Sequence, residues 1–241
     1  MNIAATVNQS LERFQPGEVF GYGDLSVYRQ SPNTVVKALS RLVKTNRVKK
    51  LGKGLFYFPK QGVLGELRPS DSELLKSLQY KNGKRRAYIT GSSLYNQLGI
   101  TTQIPKTVEL ATEGAPQMKD FGTIRARLVK SRAPVKEVDI LLLQYLDALK
   151  GARKVSDASI DSVADVMLSK LGSLTDAQLE RIQVIADEYY PAFTRAFLGM
   201  LLSRMNRGVI TRLKNSLNPL SNYLLGLSQS RWPECKEWNI K

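Results

Sequence analysis

Within one unbroken basic stretch, the spacing of apolar residues changes from a helical to an alternating period, and this limits the fold more than any other feature. Ser31-Pro32 offers a helix N-cap with proline at the first helical position, where its missing N–H costs nothing. Val35, Leu39 and Leu42, flanked by Val36 and Val43, then form an apolar stripe. Thr34, Lys37, Arg41 and Lys44 form the opposite stripe, with Asn33 and Ser40 at its edges. After Asn46 the pattern becomes two β-rich runs, 47–51 and 55–58, around Gly52-Lys53-Gly54 and closed by Pro59. That is a hairpin with Lys53 at its tip. Upstream, Val7, Leu11 and Phe14 repeat at four and three, predicting a helix over 3–14 that Pro16-Gly17 ends, and residues 20–25 read as a turn into a short second helix. Helix, helix, helix and basic hairpin within about 60 residues is the order of a winged helix-turn-helix. The second hairpin strand then packs inward, with Phe56 and Phe58 covering Leu39 and Leu42 and Tyr57 facing outward.

Charge gives this segment a chemical direction. Residues 25–65 carry nine basic side chains (Arg29, Lys37, Arg41, Lys44, Arg47, Lys49, Lys50, Lys53 and Lys60) and no Asp or Glu. The whole chain has 36 basic against 21 acidic residues, +15 in all, but residues 1–136 hold 23 and 9 of them and residues 137–241 hold 13 and 12. An ordinary solvated face mixes signs; an unopposed run fits a polyanion, with double-stranded DNA the expected partner. On a recognition helix, Arg41 can fork onto a guanine, Asn33 can pair with an adenine edge, and the lysines can hold phosphates. The expected DNA-binding set is Asn33, Thr34, Lys37, Ser40, Arg41 and Lys44 on the helix, with Arg47, Lys49, Lys50 and Lys53 on the wing.

Beyond residue 61 the glycines and proline of 62–69 read as a linker, and Ser70-Asp71-Ser72-Glu73 has capping-box spacing for the next helix. Strands are expected at 86–89, 107–111 and 124–128, and a short helix over 92–98 stopped by Gly99, with Ser92 or Thr90 as cap. In the last strand, Ile124, Ala126 and Leu128 alternate inward and Arg125 and Arg127 outward. After Pro134 the chain turns helical: 138–149, then helices capped by Ser156 and Thr175, then more helix over 191–225, broken at Gly208 and at Asn218-Pro219. The tail, 228–241, reads as loosely ordered. The fold class is therefore α+β: a winged helix-turn-helix at 1–61, a small α+β middle domain at 70–135, a helical region at 136–227 and a tail at 228–241.

Composition removes much enzyme chemistry. With no histidine, every Ser-His-Asp or Cys-His arrangement and most zinc sites are excluded, and a single cysteine, Cys235, forms no internal disulfide. Thr90-Gly91-Ser92-Ser93 invites comparison with the Gly-Ser loop of nucleotidyltransferases, but the next acidic residue is Glu109 and the next Asp is Asp120, so the metal-binding Asp pair is missing. Asp157, Asp161 and Asp165 recur at four-residue spacing and read as a solvated helix edge. No catalytic residue, metal site or cofactor is assigned. With no apolar run near 18 residues and no signal-peptide pattern in residues 1–14, no membrane association is expected and the cytoplasm is the expected compartment.

Two pairs of segments carry a resemblance. TVVKALSRLVK at 34–44 with RVKKLGKGLFYFPK at 47–60 resembles the winged-helix region of AbiEi-family antitoxins, and YITGSSLYNQLGITTQIP at 88–105 with VELATE at 108–113 resembles that family's second domain. The resemblance implies a bacterial toxin–antitoxin system linked to phage defence. Its antitoxin represses its own operon through the N-terminal domain, binding its own promoter, and counteracts a nucleotidyltransferase-like toxin. It transfers no toxin-neutralising residue to this chain. A winged-helix regulator without antitoxin activity, a nucleic-acid-processing enzyme and an interaction module whose charge serves solubility stay open at this point.

Overall fold

The computed structural model describes residues 3–63, 65–207 and 210–241. Its fold class is α+β, with a winged helix-turn-helix first, small sheets after it and a helical C-terminal region. The chain divides into two compact units, 1–87 with 119–125, and 88–118 with 126–241.

In the first unit, helix α1 (Ile3–Leu11) leads to strand β1 (Val19–Gly21), two 3-10 turns (Tyr22–Asp24 and Ser26–Arg29), helix α2 (Pro32–Lys44) and a hairpin of β2 (Lys49–Gly52) and β3 (Leu55–Tyr57). The short second helix of the winged fold is thus made of 3-10 turns rather than α-helix. The three strands form an antiparallel sheet in the order β1-β3-β2. Phe20 of β1 sits at the centre of the core, its ring 4.7 Å from Phe14, 6.0 Å from Phe56 and 5.6 Å from Phe58. Val35, Leu39, Val48 and Phe56 are buried in the same cluster, and Leu42 and Phe58 pack against it. Tyr57, expected to face outward, is buried too. As a residue of the central strand it has Val19 and Lys49 as cross-strand neighbours, and these flank it on both sides.

The segment read as a linker is a second hairpin, β4 (Lys60–Gly62) with β5 (Gly65–Leu67). Helix α3 (Asp71–Gln79) starts at Ser70, whose hydroxyl accepts the Glu73 N–H at 3.3 Å as the spacing predicts. It packs against β1, and a small hairpin, β6 (Tyr80–Lys81) with β7 (Lys84–Arg85), follows it. The first compact unit therefore runs to residue 87, not 61: the apolar side of α3, with buried Leu74, completes the winged-helix unit.

The second unit holds most of strand β8 (Ala87–Thr90), helix α4 (Gly91–Leu98), strand β9 (Thr107–Thr112), the first half of β10 (Gln117–Asp120) and most of β11 (Arg125–Lys130), strands of a sheet ordered β10-β11-β9-β8. Gly99 ends α4 at φ +77, as its position predicts. Ala126 and Leu128 point inward while Arg125 and Arg127 are exposed. Helices α5 (Ile140–Gly151), α6 (Ile160–Gly172), α7 (Asp176–Tyr189), α8 (Ala192–Met205) and the short α9 (Thr211–Asn215) complete the unit. Helix α8 is apolar on nearly every side, as a central helix must be, and α5, α6 and α7 surround it. Thr175 caps α7 in a reciprocal capping box with Gln178. Helix α6 is capped by Ser159 rather than Ser156, and Gly208 lies outside the described residues.

Two clusters, one polar and one mainly apolar, hold this unit together. Asp147 of α5 accepts three hydroxyls, from Tyr88 at 3.0 Å, Thr90 at 2.8 Å and Tyr190 at 2.9 Å. Burial, with Asp147 second, raises the pKa of Tyr88 and Tyr190 well above the ordinary tyrosine value, so both remain donors. The tail is the second cluster, and it is ordered. Trp232, Cys235, Trp238 and Ile240 are buried, the 3-10 helix Pro233–Trp238 packs on α8, and the Trp238 indole N–H donates to Ser203 Oγ at 2.9 Å. The three spaced aspartates are not an idle solvated edge. Asp157 accepts the Thr101 hydroxyl, Asp161 accepts the Ser228 N–H at 3.1 Å, and Asp165 pairs with Arg231.

Candidate nucleic-acid interface

Helix α2 presents two faces. Val35 and Leu39 are fully buried and Leu42 and Val43 half-buried, whereas Asn33, Thr34, Lys37, Ser40, Arg41 and Lys44 are all exposed. The exposed set recurs at three- and four-residue steps, so it lies along one side of the helix for about 16 Å at 1.5 Å per residue. Pro32 occupies the first turn as expected. Ser31 stands at the N-cap, but its hydroxyl caps no N–H.

The junction to the wing is tight. Thr45 ends α2, and Asn46 takes a left-handed conformation at φ +56. The Arg47 and Val48 N–H groups then both donate to the Leu42 carbonyl, at 3.0 and 3.3 Å, fixing the first residues of the wing to the last turn of the helix. Strands β2 and β3 reverse through Lys53-Gly54, with Gly54 at φ +73 and Lys53 exposed at the tip.

The ten expected side chains divide into two groups. Among the described residues, no carboxylate lies within 4 Å of Lys37, Arg41, Lys44, Lys50 or Lys53, and all five are exposed. Lys49 is different: its ammonium donates to Asn46 Oδ1 at 3.0 Å and pairs with Glu66 at 3.4 Å. Glu66 belongs to β5, and the linker reading of 62–69 gave no reason to look for it there. Arg47 is exposed as well and has no carboxylate within 4 Å among the described residues, but it stands at the base of the wing beside α1, where it lines a small cleft of about 130 Å³ with Asn8, Leu11 and Phe58. The structure therefore keeps Asn33, Thr34, Lys37, Ser40, Arg41 and Lys44 together on one helix face. It adds Lys50 and Lys53 on the wing and sets Lys49 and Arg47 apart.

Comparison with known proteins locates the chain by family and fold. A model of DUF6088, a family of unknown function, matches residues 6–173. No curated protein is similar to the chain in sequence. Among solved structures, the crystal structure of the RV2827C protein from Mycobacterium tuberculosis is similar at 13% identity and a TM-score of 0.50, covering 99% of this chain and 89% of that one. At that identity the likeness is one of fold. Among the described residues, no helix is long and apolar enough to cross a membrane.

Proposed function

The chain belongs to the DUF6088 family, and we propose that it is a sequence-specific DNA-binding repressor acting through its winged helix. One observation carries the reading: five exposed cations without an acidic neighbour lie along α2 and the wing of a single compact unit. Exposed cations that pair with no carboxylate are poised to neutralise phosphates, and the release of condensed counterions then supplies binding free energy. In this mode α2 lies in a major groove. Arg41 forks onto a guanine, Asn33 reads an adenine, Lys37 and Lys44 reach phosphates from the helix, and Lys50 and Lys53 hold the backbone from the wing.

The repressor's partner follows from the resemblance of residues 34–60, 88–105 and 108–113 to AbiEi-family antitoxins. On that basis the protein represses its own operon and counteracts a nucleotidyltransferase-like toxin, with the second unit serving neutralisation. It works in the cytoplasm, where such a toxin acts.

The test uses the full chain and a duplex of its own promoter. A Lys37→Ala, Arg41→Ala double variant with a native circular dichroism spectrum should lose about 2–4 kcal/mol of promoter affinity. Unchanged affinity would exclude α2 as the reading surface. Co-expression with the neighbouring reading frame tests the second half: if that frame is a nucleotidyltransferase-like toxin, the wild-type chain restores growth. If no adjacent toxin exists, the repressor stands alone.

A further inference from the structure

The second unit contains a cleft of about 340 Å³ that the repressor reading does not use. It opens where the N-terminus of α4, the sheet and the C-terminus of α5 meet, and Arg127, Lys130, Arg132, Lys150 and Lys154 all line it. Its two carboxylates are already engaged. Glu109 pairs with Arg127, and Asp147 accepts the three hydroxyls described above. Lys130 donates to the Glu113 carbonyl at 2.9 Å. Arg132, Lys150 and Lys154 are left with no carboxylate within 4 Å among the described residues.

Lys150 is the informative member. It is half-buried, and burial holds its pKa below the ordinary lysine value; the Asp147 charge, the next-largest influence, pulls the other way, while Arg132 and Lys154 add to the lowering. The cleft sets five cations, one of them partly desolvated, against only two carboxylates, Glu109 and Asp147, and a further anion would offset the remaining positive charge. The neighbouring backbone adds donors. Thr90 stands at the N-cap of α4, yet its hydroxyl is committed to Asp147 and caps no N–H of the first turn, whose dipole favours negative charge. Gly91 takes φ +62 with the Glu109 carboxylate close against it, so a side chain there would be strained and would collide.

We propose that this cleft binds a small phosphorylated molecule, its phosphate held by Lys150, Arg132 and Lys154 beside the first turn of α4. The Thr90-Gly91-Ser92-Ser93 loop, which lacks the Asp pair that nucleotidyl transfer needs, here binds phosphate without transferring it. The cleft lies within the size range of ligand pockets, and its cations accept the phosphate end of any such ester.

Inorganic pyrophosphate and ATP are the probes, titrated calorimetrically into the full chain, with sodium chloride of equal ionic strength as the control. Saturable binding of pyrophosphate is expected, weakened by about tenfold or more for each of Arg132→Gln and Lys150→Gln. Tighter binding of ATP than of pyrophosphate would identify a nucleotide, and equal binding a site that reads phosphate alone. The Lys37→Ala, Arg41→Ala variant should bind pyrophosphate like wild type, so a failure here and a failure of the DNA reading appear in different proteins. Thermal melting separates a binding role from a structural one. Lys150→Gln without ligand should melt at or above the wild-type temperature, because it removes a strained charge. Heat no greater than the salt control, undiminished binding by the Arg132→Gln, Lys150→Gln double variant, or a lowered melting temperature of Lys150→Gln would each overturn the proposal.

Discussion

Replacing Gly199 with alanine should destabilise this protein, although alanine is the better helix former by about 1 kcal/mol. Gly199 sits inside α8, and a Cβ added there would run into the six-membered ring of Trp238. The indole is fully buried and anchored by its hydrogen bond to Ser203, so it can yield only by leaving its place. Overpacking of this kind costs about 1–3 kcal/mol, which exceeds the propensity gain. Removing the ring reverses the sign. Trp238→Ala alone should cost about 3–5 kcal/mol, but in that background Gly199→Ala meets open space and should stabilise by up to about 1 kcal/mol. The coupling between the two positions is therefore about 1–3 kcal/mol, the overpacking cost itself, measurable as a double-mutant cycle in urea unfolding followed by far-ultraviolet circular dichroism. If Gly199→Ala stabilises the wild-type chain, or has the same effect with and without Trp238, the tail does not dock on α8 as described.

Two further outcomes follow from buried ionisable groups. Hydrogen bonds from Arg181 at 3.0 and 2.7 Å hold the buried Asp139 carboxyl below the ordinary aspartate value, against the opposing effect of burial. A carboxyl depressed in the folded state contributes stability above its unfolded pKa near 3.8 and loses it as pH falls through the lower folded value. Arg181→Ala should accordingly cost about 1–2 kcal/mol at neutral pH, less than a fully buried pair because Arg181 is half-exposed, and should flatten the acid limb in pH-dependent urea melts. The Cys235 thiol is buried beside Met200, and burial pushes its pKa up to about 11. It should resist a thiol reagent at pH 8 in the native protein and react promptly once urea unfolds the chain, as an absorbance assay would record.

The parts of the fold that local chemistry specifies could be read directly from the sequence. Pro32 at a helix start, the stripe of Val35 and Leu39, and the glycine-flanked turn at Lys53 each depend on residues within a few positions, and α2 and the wing stand where they predict. The same holds for Ser70, Gly99 and Thr175 at helix ends. What could not be read depended on distant partners. Nothing near Trp238 signals that Gly199, 39 positions earlier, leaves room for its ring. Glycines and a proline at 62–69 suit a linker as well as the hairpin that brings Glu66 to Lys49. Alternation alone puts Tyr57 on the outer side, yet it is buried in a central strand, and only the pairing of β1 with β3 reveals that. In the candidate interface, the sequence identified the exposed face of α2 in full, while the neutralised state of Lys49 needed the three-dimensional structure. The cleft around Lys150 was out of reach for the same reason, since its cations come from β11, the segment after it, α5 and the turn beyond.

The salt dependence of promoter binding tests the central claim most directly. Five exposed and unpaired cations, Lys37, Arg41, Lys44, Lys50 and Lys53, predict a slope of log K against log salt of about −4.5, falling in magnitude by about 2 in the Lys37→Ala, Arg41→Ala variant. A slope near zero, or one that the double variant leaves unchanged, would contradict the assignment of this surface to DNA.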